Sequence, residues 1–460
     1  MKKFGIVLAA GKGKRMRSSL YKVLHPVCEK PMVGHVIHCL EQLGLARKIV
    51  IVGHGADAVK SYLGNRAEYA FQSEQLGTGH AVIQAGSLLE NEAGTTVIVC
   101  GDTPLIQERS LQELFEVHEG SGAAATIMTA HMDQPFGYGR IVRDDEDHVV
   151  EIVEEKDCSP AQAIICEINS GIYCFDNQKL FSALKDLDNN NAQGEYLLTD
   201  VISILRKKAE IIAAYCTEDS NEVLGINDRI ALAEAEMVMR DRINKKHLLN
   251  GVSIIDPNNS YIGADVVIGE DTTIYPGTVL RGNTQIGQWC EIGPQADLTN
   301  VQIANRVQIK YSVLNDASVG DQSTIGPFAY LRPGTVLGKQ VKIGDFVELK
   351  NAKLDDGSKV SHLSYVGDAS VGKDVNIGCG AITVNYDGYN KHMTTIEDGA
   401  FVGSNVNLIA PVTIGQGAYV VAGSTITENV PANDLAIARE RQVNKSGYAQ
   451  SLREKLQEKK

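Results

Sequence analysis

The sequence predicts an α/β domain with a mostly parallel sheet, then a long helix, then a parallel β-helix. Three observations carry this. Over residues 1–229, short apolar runs alternate with amphipathic stretches. Residues 230–250 are helical in period and contain no Gly or Pro. From residue 251 to the C-terminal end at 460, an aliphatic residue returns every six positions over long stretches.

In the first segment, Phe4–Ala9, Lys48–Val52, Thr96–Cys100 and Ala123–Thr129 read as buried strands. Val33–Leu43, Thr78–Leu89 and Ser110–Glu119 read as helices. Such alternation places helices on both faces of a parallel sheet, with ligand loops at the carboxyl ends of the strands. In the second segment, Ile230, Ala233, Met237, Arg240 and Ile243 fall on one helical face. The segment reads as a rigid spacer, or as a helix packed on the first domain.

In the third segment the repeat runs through Ile262, Ile268, Ile274, Leu280, Ile286, Ile292 and Leu298. It slips and resumes at Val319, Ile325, Leu331, Leu337, Ile343 and Leu349, and again from Val402 to Ile426. Six fits neither a helix nor an alternating strand. It fits a solenoid in which three six-residue units close one coil. The aliphatic residue points to the axis, and a following Gly such as Gly269 or Gly287 is read as a corner of positive φ. Thr383–Ile396 breaks the period and reads as a projecting loop.

The formal net charge of −13 argues against a nucleic-acid binder. An anionic substrate must be held by local cations. The nine cysteines contain no C-x-x-C pair, which argues for a reducing, cytoplasmic setting and against a zinc ribbon. Most of them read as small buried apolar residues. No apolar run is long enough for membrane insertion.

The first strand leads into Leu8-Ala9-Ala10-Gly11-Lys12-Gly13-Lys14-Arg15, a glycine loop crowded with cations. Backbone N–H groups in such a loop can approach phosphate closely. The loop is neither a Walker A motif nor G-x-G-x-x-G. Tyr21-Lys22-Val23, Gln72-Ser73-Glu74-Gln75-Leu76-Gly77-Thr78 and Gly101-Asp102 follow. Together these resemble the sugar-phosphate nucleotidyltransferases, although Tyr21 stands where many relatives have Pro.

That resemblance implies a Rossmann-like fold and a set of roles. Leu8, Ala9, Ala10 and Gly11 contact uridine, and Gln72, Gly77 and Thr78 read the uracil edge. Asp102 and Asn227 hold Mg²⁺, a pair of oxygen donors that suits this ion. Gly139, Glu154 and Asn169 hold the sugar. Arg15 and Lys22 are catalytic, offsetting charge on the transferring phosphoryl group.

The coils carry a second polar set: Arg332, Glu348, Lys350, His362, Tyr365, Asn376, and Asn385 and Tyr386 in the loop. Positions 332 and 350 differ by one 18-residue coil, so their cations stack. A lone histidine is more often structural than catalytic; this one accompanies cations, an acid and a loop.

The whole chain, in the same domain order, resembles the bifunctional N-acetylglucosamine-1-phosphate uridyltransferase and glucosamine-1-phosphate acetyltransferase family. The resemblance implies that the β-helix winds left-handed and that His362 is the general base for attack of an amine on acetyl-CoA. Arg332, Lys350, Tyr365 and Asn376 then bind glucosamine-1-phosphate. Cys379, Asn385, Tyr386, Ser404, Ala422 and Arg439 contact acetyl-CoA. Glu348 is a candidate to orient the amine or His362. A homotrimer is implied, acting on UTP, glucosamine-1-phosphate, N-acetylglucosamine-1-phosphate and acetyl-CoA. The product, UDP-N-acetylglucosamine, feeds cell-wall synthesis. Two other readings remain at this point. One is a single-activity nucleotidyltransferase with a scaffolding β-helix; the other is a non-enzymatic exchange factor of similar layout.

Overall fold

A computed structural model describes residues 1–191 and 193–458. Lys459 and Lys460, the end of the tail, lie outside the described residues. The chain forms two compact units, Met1–Ile243 and Asn244–Lys460.

The first unit is built on nine strands: β1 (Lys3–Ala9), β2 (Arg47–Val52), β3 (Glu68–Phe71), β4 (Thr95–Cys100), β5 (Ala125–His131), β6 (Gly139–Arg143), β7 (Val149–Val153), β8 (Glu167–Asp176) and β9 (Ile212–Cys216). The main path runs β9-β5-β8-β4-β1-β2-β3. β1 pairs in parallel with β2 and β4, whereas β8 runs antiparallel to β4 and β5. Both faces are covered. Phe4 and Ile6 of β1 enter one apolar layer, and Val7 and Ala9 enter the other. Period-two alternation within one strand therefore feeds two cores, and β1 is apolar throughout.

Three helices matter for the site: α1 (Met32–Gln42), α2 (Thr78–Ile83) and α3 (Glu108–Ser121). The single helix expected over residues 78–89 is broken. At Gln84 and Ala85 the backbone bonds reach back three residues, to Ala81 and Val82, and a separate short turn follows at Gly86–Leu89.

The long helix α4 spans Arg229–Leu249, and the division between the units falls inside it. Its buried face is not the stripe read from the sequence. Ile230 is 73% and Met237 55% exposed. Ala231, Leu232, Ala235, Val238 and Met239 instead pack on Val27, Met32, Leu105 and Ile226. Two alanines one turn apart let α4 approach closely, which larger residues on the other stripe would not. Arg242 adds bonds to the Leu105 carbonyl (2.5 Å) and Asp219 (2.8 Å). In the second unit, buried Asn244 donates to the Pro257 carbonyl at 2.8 Å. The helix is packed along its length and is no bare spacer.

The second unit is a parallel β-helix. One ladder stacks 11 short strands. Ile274, Ile292, Ile309, Ile325, Ile343, Val360, Ile377, Val402 and Val420 lie above one another as successive partners. All are buried. Burying each such side chain is worth about 1.5–3 kcal/mol. The slip in the repeat is explained by shortened coils: Ile292 pairs with Ile309 and Ile309 with Ile325, closer in sequence than the 18-residue step of the period.

Gly293 takes the left-handed φ expected of a corner glycine (100°), whereas Gly269 and Gly287 have a different role. Left-handed φ falls on Asp271, Trp289, Arg306, Gln322 and Gln340, at 54–60°. Gly269 is needed for space: a Cβ there would lie 2.7 Å from the Gly287 carbonyl carbon of the next coil. The projecting loop joins Ile382–Val384 to Thr394–Ile396. The Asp387 carboxylate organises it, accepting from the Tyr389 and Asn390 backbone N–H groups and from His392. The tail holds a helix at Tyr448–Gln457. Only four of the nine cysteines are buried, Cys28, Cys39, Cys174 and Cys290.

Gly269→Ala is expected to destabilise the second unit by about 1–3 kcal/mol, because the neighbouring coil must move. Chemical denaturation should show a lowered midpoint for this unit.

Candidate active sites

The first site forms where β1 and β4 end side by side. Gly101 N–H donates to the Leu8 carbonyl at 2.9 Å, placing Asp102 beside the glycine loop. Ile226 N–H donates to the Asp102 carbonyl at 3.0 Å, which brings Asn227 to the same point. Gly13, at φ 58°, leaves room for Lys22: a Cβ would stand 2.5 Å from the Lys22 Cβ. The Lys22 ammonium therefore reaches Asp102 Oδ2, and donates to Asn227 Oδ1 at 2.7 Å. Arg15 Nη2 donates to the same amide oxygen at 2.8 Å. A cation thus already sits where the carboxylate and amide oxygens converge. Those oxygens, hard donors around a positive centre, fit a divalent ion such as Mg²⁺.

Leu8, Ala9, Ala10 and Gly11 line one cleft together with Lys22 and Asp102. Gln72, Gly77 and Thr78 line its other side. Gly77, at φ 121°, packs its α-carbon on the Tyr196 backbone, where no side chain fits. The structure adds Gln75 and Glu195 to the cleft, which sequence reasoning missed. It also places His80 beside Gln72.

Gly139 and Asn169 face each other across the β6–β8 ladder. Asn169 Nδ2 donates to the Tyr173 hydroxyl at 2.8 Å. Glu154 accepts from the Thr199 hydroxyl at 3.4 Å, and burial pushes its carboxyl up. Tyr138 links this group to the first: its hydroxyl accepts from Gly225 N–H at 3.4 Å, two residues before Asn227.

The second site follows from coil register. Tyr330 and Leu331 pair with Glu348 and Leu349, so Arg332 stands over Lys350 as the 18-residue spacing implies. Glu348 pairs in turn with Tyr365. Glu348 does not orient His362; it accepts from Arg332 at 2.8 Å. The partner of His362 is Asp345, its register mate one coil earlier, with Nδ1 to Oδ1 at 2.5 Å. The hydrogen bond from His362 holds the Asp345 carboxyl below its usual range. Asp345 was legible in principle, since it sits 17 residues before His362, about one coil.

Lys391 in the loop was also missed. Lys350 beside it lowers its ammonium pKa from the usual value, and Asp368 opposes that. Asp368 is buried and accepts from Asn351 (2.7 Å) and Asn385 (2.5 Å). Burial pushes its carboxyl up, but these bonds and the charges of Lys350 and Lys391 outweigh that and lower it. Three cations, Arg332, Lys350 and Lys391, therefore gather near Tyr365.

Along one corner the register continues from Asp345 and His362. Val360 pairs with Ile377, Ile377 with Val402 and Val402 with Val420. Two residues beyond each, His362, Cys379, Ser404 and Ala422 form a line. Backbone bonds at this corner follow it: Asn405 N–H to the Cys379 carbonyl (2.7 Å) and Gly423 N–H to the Ser404 carbonyl (2.8 Å). Arg439 Cδ lies beside Gly423, at 3.7 Å from where a Cβ would be. Asn376 begins the strand that leads to this corner. Asn385 is buried at the root of the loop, and Tyr386 is 56% exposed above it.

Comparison with known proteins agrees with this two-part layout. Residues 4–306 match the family model for nucleotidyl transferases. Residues 262–354 match a model described as the GMPPB C-terminal domain, and 393–428 match the bacterial transferase hexapeptide model of six repeats. The chain is 57% identical over 452 residues to the bifunctional protein GlmU of Geobacillus sp. (strain WCH70), covering 98% of each. It is 56% identical over 455 residues to that of Geobacillus thermodenitrificans (strain NG80-2), covering 99% of each. It is 57% identical over 447 residues to that of Brevibacillus brevis (strain 47 / JCM 6285 / NBRC 100599), covering 97% of each. The chain belongs to the family of bifunctional GlmU proteins, a Rossmann-like nucleotidyltransferase followed by a left-handed β-helix of hexapeptide repeats.

Proposed function

We propose that this chain makes UDP-N-acetylglucosamine in two steps on two sites. Residues 251–460 transfer acetyl from acetyl-CoA to glucosamine-1-phosphate. Residues 1–229 then transfer uridylyl from UTP to N-acetylglucosamine-1-phosphate and release pyrophosphate, with 230–250 as the helical connection. The observation that carries this reading is the pairing of His362 with Asp345, on coils that also carry Arg332, Lys350 and Lys391, in a chain that joins Asp102, Asn227, Lys22 and Arg15.

In the acetyl transfer, Asp345 accepts from Nδ1–H of His362, which leaves Nε2 bare as a base. Nε2 takes a proton from the sugar ammonium or amine as nitrogen attacks the thioester carbonyl. The thiol leaves with a proton returned to its sulfur. Arg332, Lys350 and Lys391 hold the sugar phosphate. Tyr365 and Asn376 hold the sugar. Cys379, Ser404, Ala422 and Arg439, with Asn385 and Tyr386, line the path of acetyl-CoA. The corner position of that path suits closure by a neighbouring copy in a homotrimer.

In the uridylyl transfer, a phosphate oxygen of the sugar-1-phosphate attacks the α-phosphorus and pyrophosphate leaves. Mg²⁺ on the Asp102 carboxylate and the Asn227 amide oxygen would neutralise phosphate charge. Lys22 and Arg15 bring further positive charge to the triphosphate. Leu8, Ala9, Ala10, Gly11, Gln72, Gly77 and Thr78 enclose the nucleoside. Gly139, Glu154 and Asn169 hold the sugar. Soluble small-molecule substrates and a reducing cysteine pattern suit the cytoplasm.

A product assay with glucosamine-1-phosphate, acetyl-CoA, UTP and Mg²⁺ tests this. His362→Ala should abolish thiol release and leave pyrophosphate release from N-acetylglucosamine-1-phosphate intact. Asp102→Ala should do the reverse. A wild-type chain that releases pyrophosphate but never free thiol would remove the acetyltransferase half.

Asp345→Asn should lower kcat for acetyl transfer about 10–100-fold, since a neutral amide cannot stabilise the imidazolium. Lys391→Ala should raise KM for glucosamine-1-phosphate about tenfold with a smaller effect on kcat, as one of three phosphate-facing cations is lost. Steady-state kinetics on each substrate reads both.

A further inference from the structure

We infer that His80, together with the Gly77 carbonyl, sets the nucleobase choice of the N-terminal cleft by holding the Gln72 amide in one orientation. The inference rests on the reading of that cleft as a UTP site and deepens it.

Gln72 is 3% exposed and lines the cleft. Its Nε2 lies 3.2 Å from the Gly77 carbonyl oxygen and 3.1 Å from His80 Nδ1. A carbonyl oxygen only accepts, so the amide nitrogen, not its oxygen, must face Gly77. One amide hydrogen goes to Gly77 and the other is directed at His80. That second bond forms only if Nδ1 is the bare nitrogen of a neutral imidazole.

A competing demand exists on the same ring. Gln84 Nε2 lies 3.2 Å from His80 Nε2 and 3.0 Å from the His80 carbonyl. A neutral imidazole has one acceptor and cannot serve two amide nitrogens. Gln84 is only half-buried and can donate to the His80 carbonyl, or turn its oxygen toward Nε2–H. Gln72 is buried, and its hydrogen has no such alternative. An unpaired buried donor is the more costly outcome, so Nδ1 serves Gln72 and Nε2 carries the proton.

With both amide hydrogens engaged, Gln72 offers the cleft only Oε1, an acceptor. Uracil presents N3–H on its pairing edge, whereas cytosine presents a bare nitrogen there. The oxygen attracts the first base and repels the second. Without a bare Nδ1 at position 80, only the 3.2 Å bond to the Gly77 carbonyl opposes a turn of the amide that would present its NH₂ group to the base. His80 is thus a positioning residue that acts through Gln72.

The test measures kcat/KM for UTP and for CTP with N-acetylglucosamine-1-phosphate in full-length wild type, His80→Leu, His80→Ala and His80→Asn. Leu and Ala remove the acceptor. Asn restores one, since its Oδ1 can occupy the place of Nδ1. The UTP:CTP ratio should fall at least about tenfold in His80→Leu and His80→Ala and return in His80→Asn. Acetyl transfer in the same samples should be unchanged, which shows that each chain is folded. A ratio unchanged in Leu and Ala, or lowered equally in Asn, overturns the role of His80 while leaving the UTP reading intact. A wild type that turns over neither nucleotide overturns both.

Discussion

Hydrogen bonding between successive parallel coils is the constraint on which the second unit depends. Each short strand bonds to the strand about one coil before and one coil after it. A residue's neighbours in space are then set by counting along the chain. This is why an aliphatic column from Ile274 to Val420 is continuous, and why polar residues distant in sequence come together. Asp345 over His362 and Arg332 over Lys350 are the same register acting at two corners. No special loop is required to bring this carboxylate and imidazole into contact. It needs only that the coils keep their step.

The first unit reaches an equivalent end by other means. Parallel strands β1 and β4 end level with one another, and loops from their carboxyl ends meet the Gly225–Asn227 turn. Charge is the organising quantity there. Lys22 and Arg15 crowd the oxygens of Asp102 and Asn227, so positive charge and oxygen donors converge on one point. That arrangement suits a phosphate-bearing ligand carrying a divalent ion. Placing both units on one chain makes a common product from two unrelated chemistries.

Much of this was legible in the sequence, and the failures have physical causes. A period of six points to a solenoid, and the aliphatic residues named from that period between Ile262 and Ile426 are buried. The slip between Leu298 and Val319 was opaque because shortened coils move the register without changing residue type. At Gly269 and Gly287 space between coils, not backbone φ, demands glycine, whereas Gly293 has the left-handed φ that the repeat suggests. The face of α4 was misread because two alanines look weaker than Ile230 and Met237 by hydrophobicity, yet permit closer packing. Asp345 gains its role from coil register, which places it over His362, while Glu348 is taken up by Arg332. Lys391, Asp368 and His80 each gain their significance from a neighbour that only the fold supplies.

In the proposed acetyl transfer, coil register makes Asp345 act through His362. A double-mutant cycle on acetyl transfer measures this directly, using wild type, Asp345→Asn, His362→Ala and the double variant. If Asp345 works only by orienting and charging the imidazole, its substitution should cost nothing further once His362 is alanine. Additive losses, with the double variant slower than His362→Ala by the full single effect of Asp345→Asn, would contradict it.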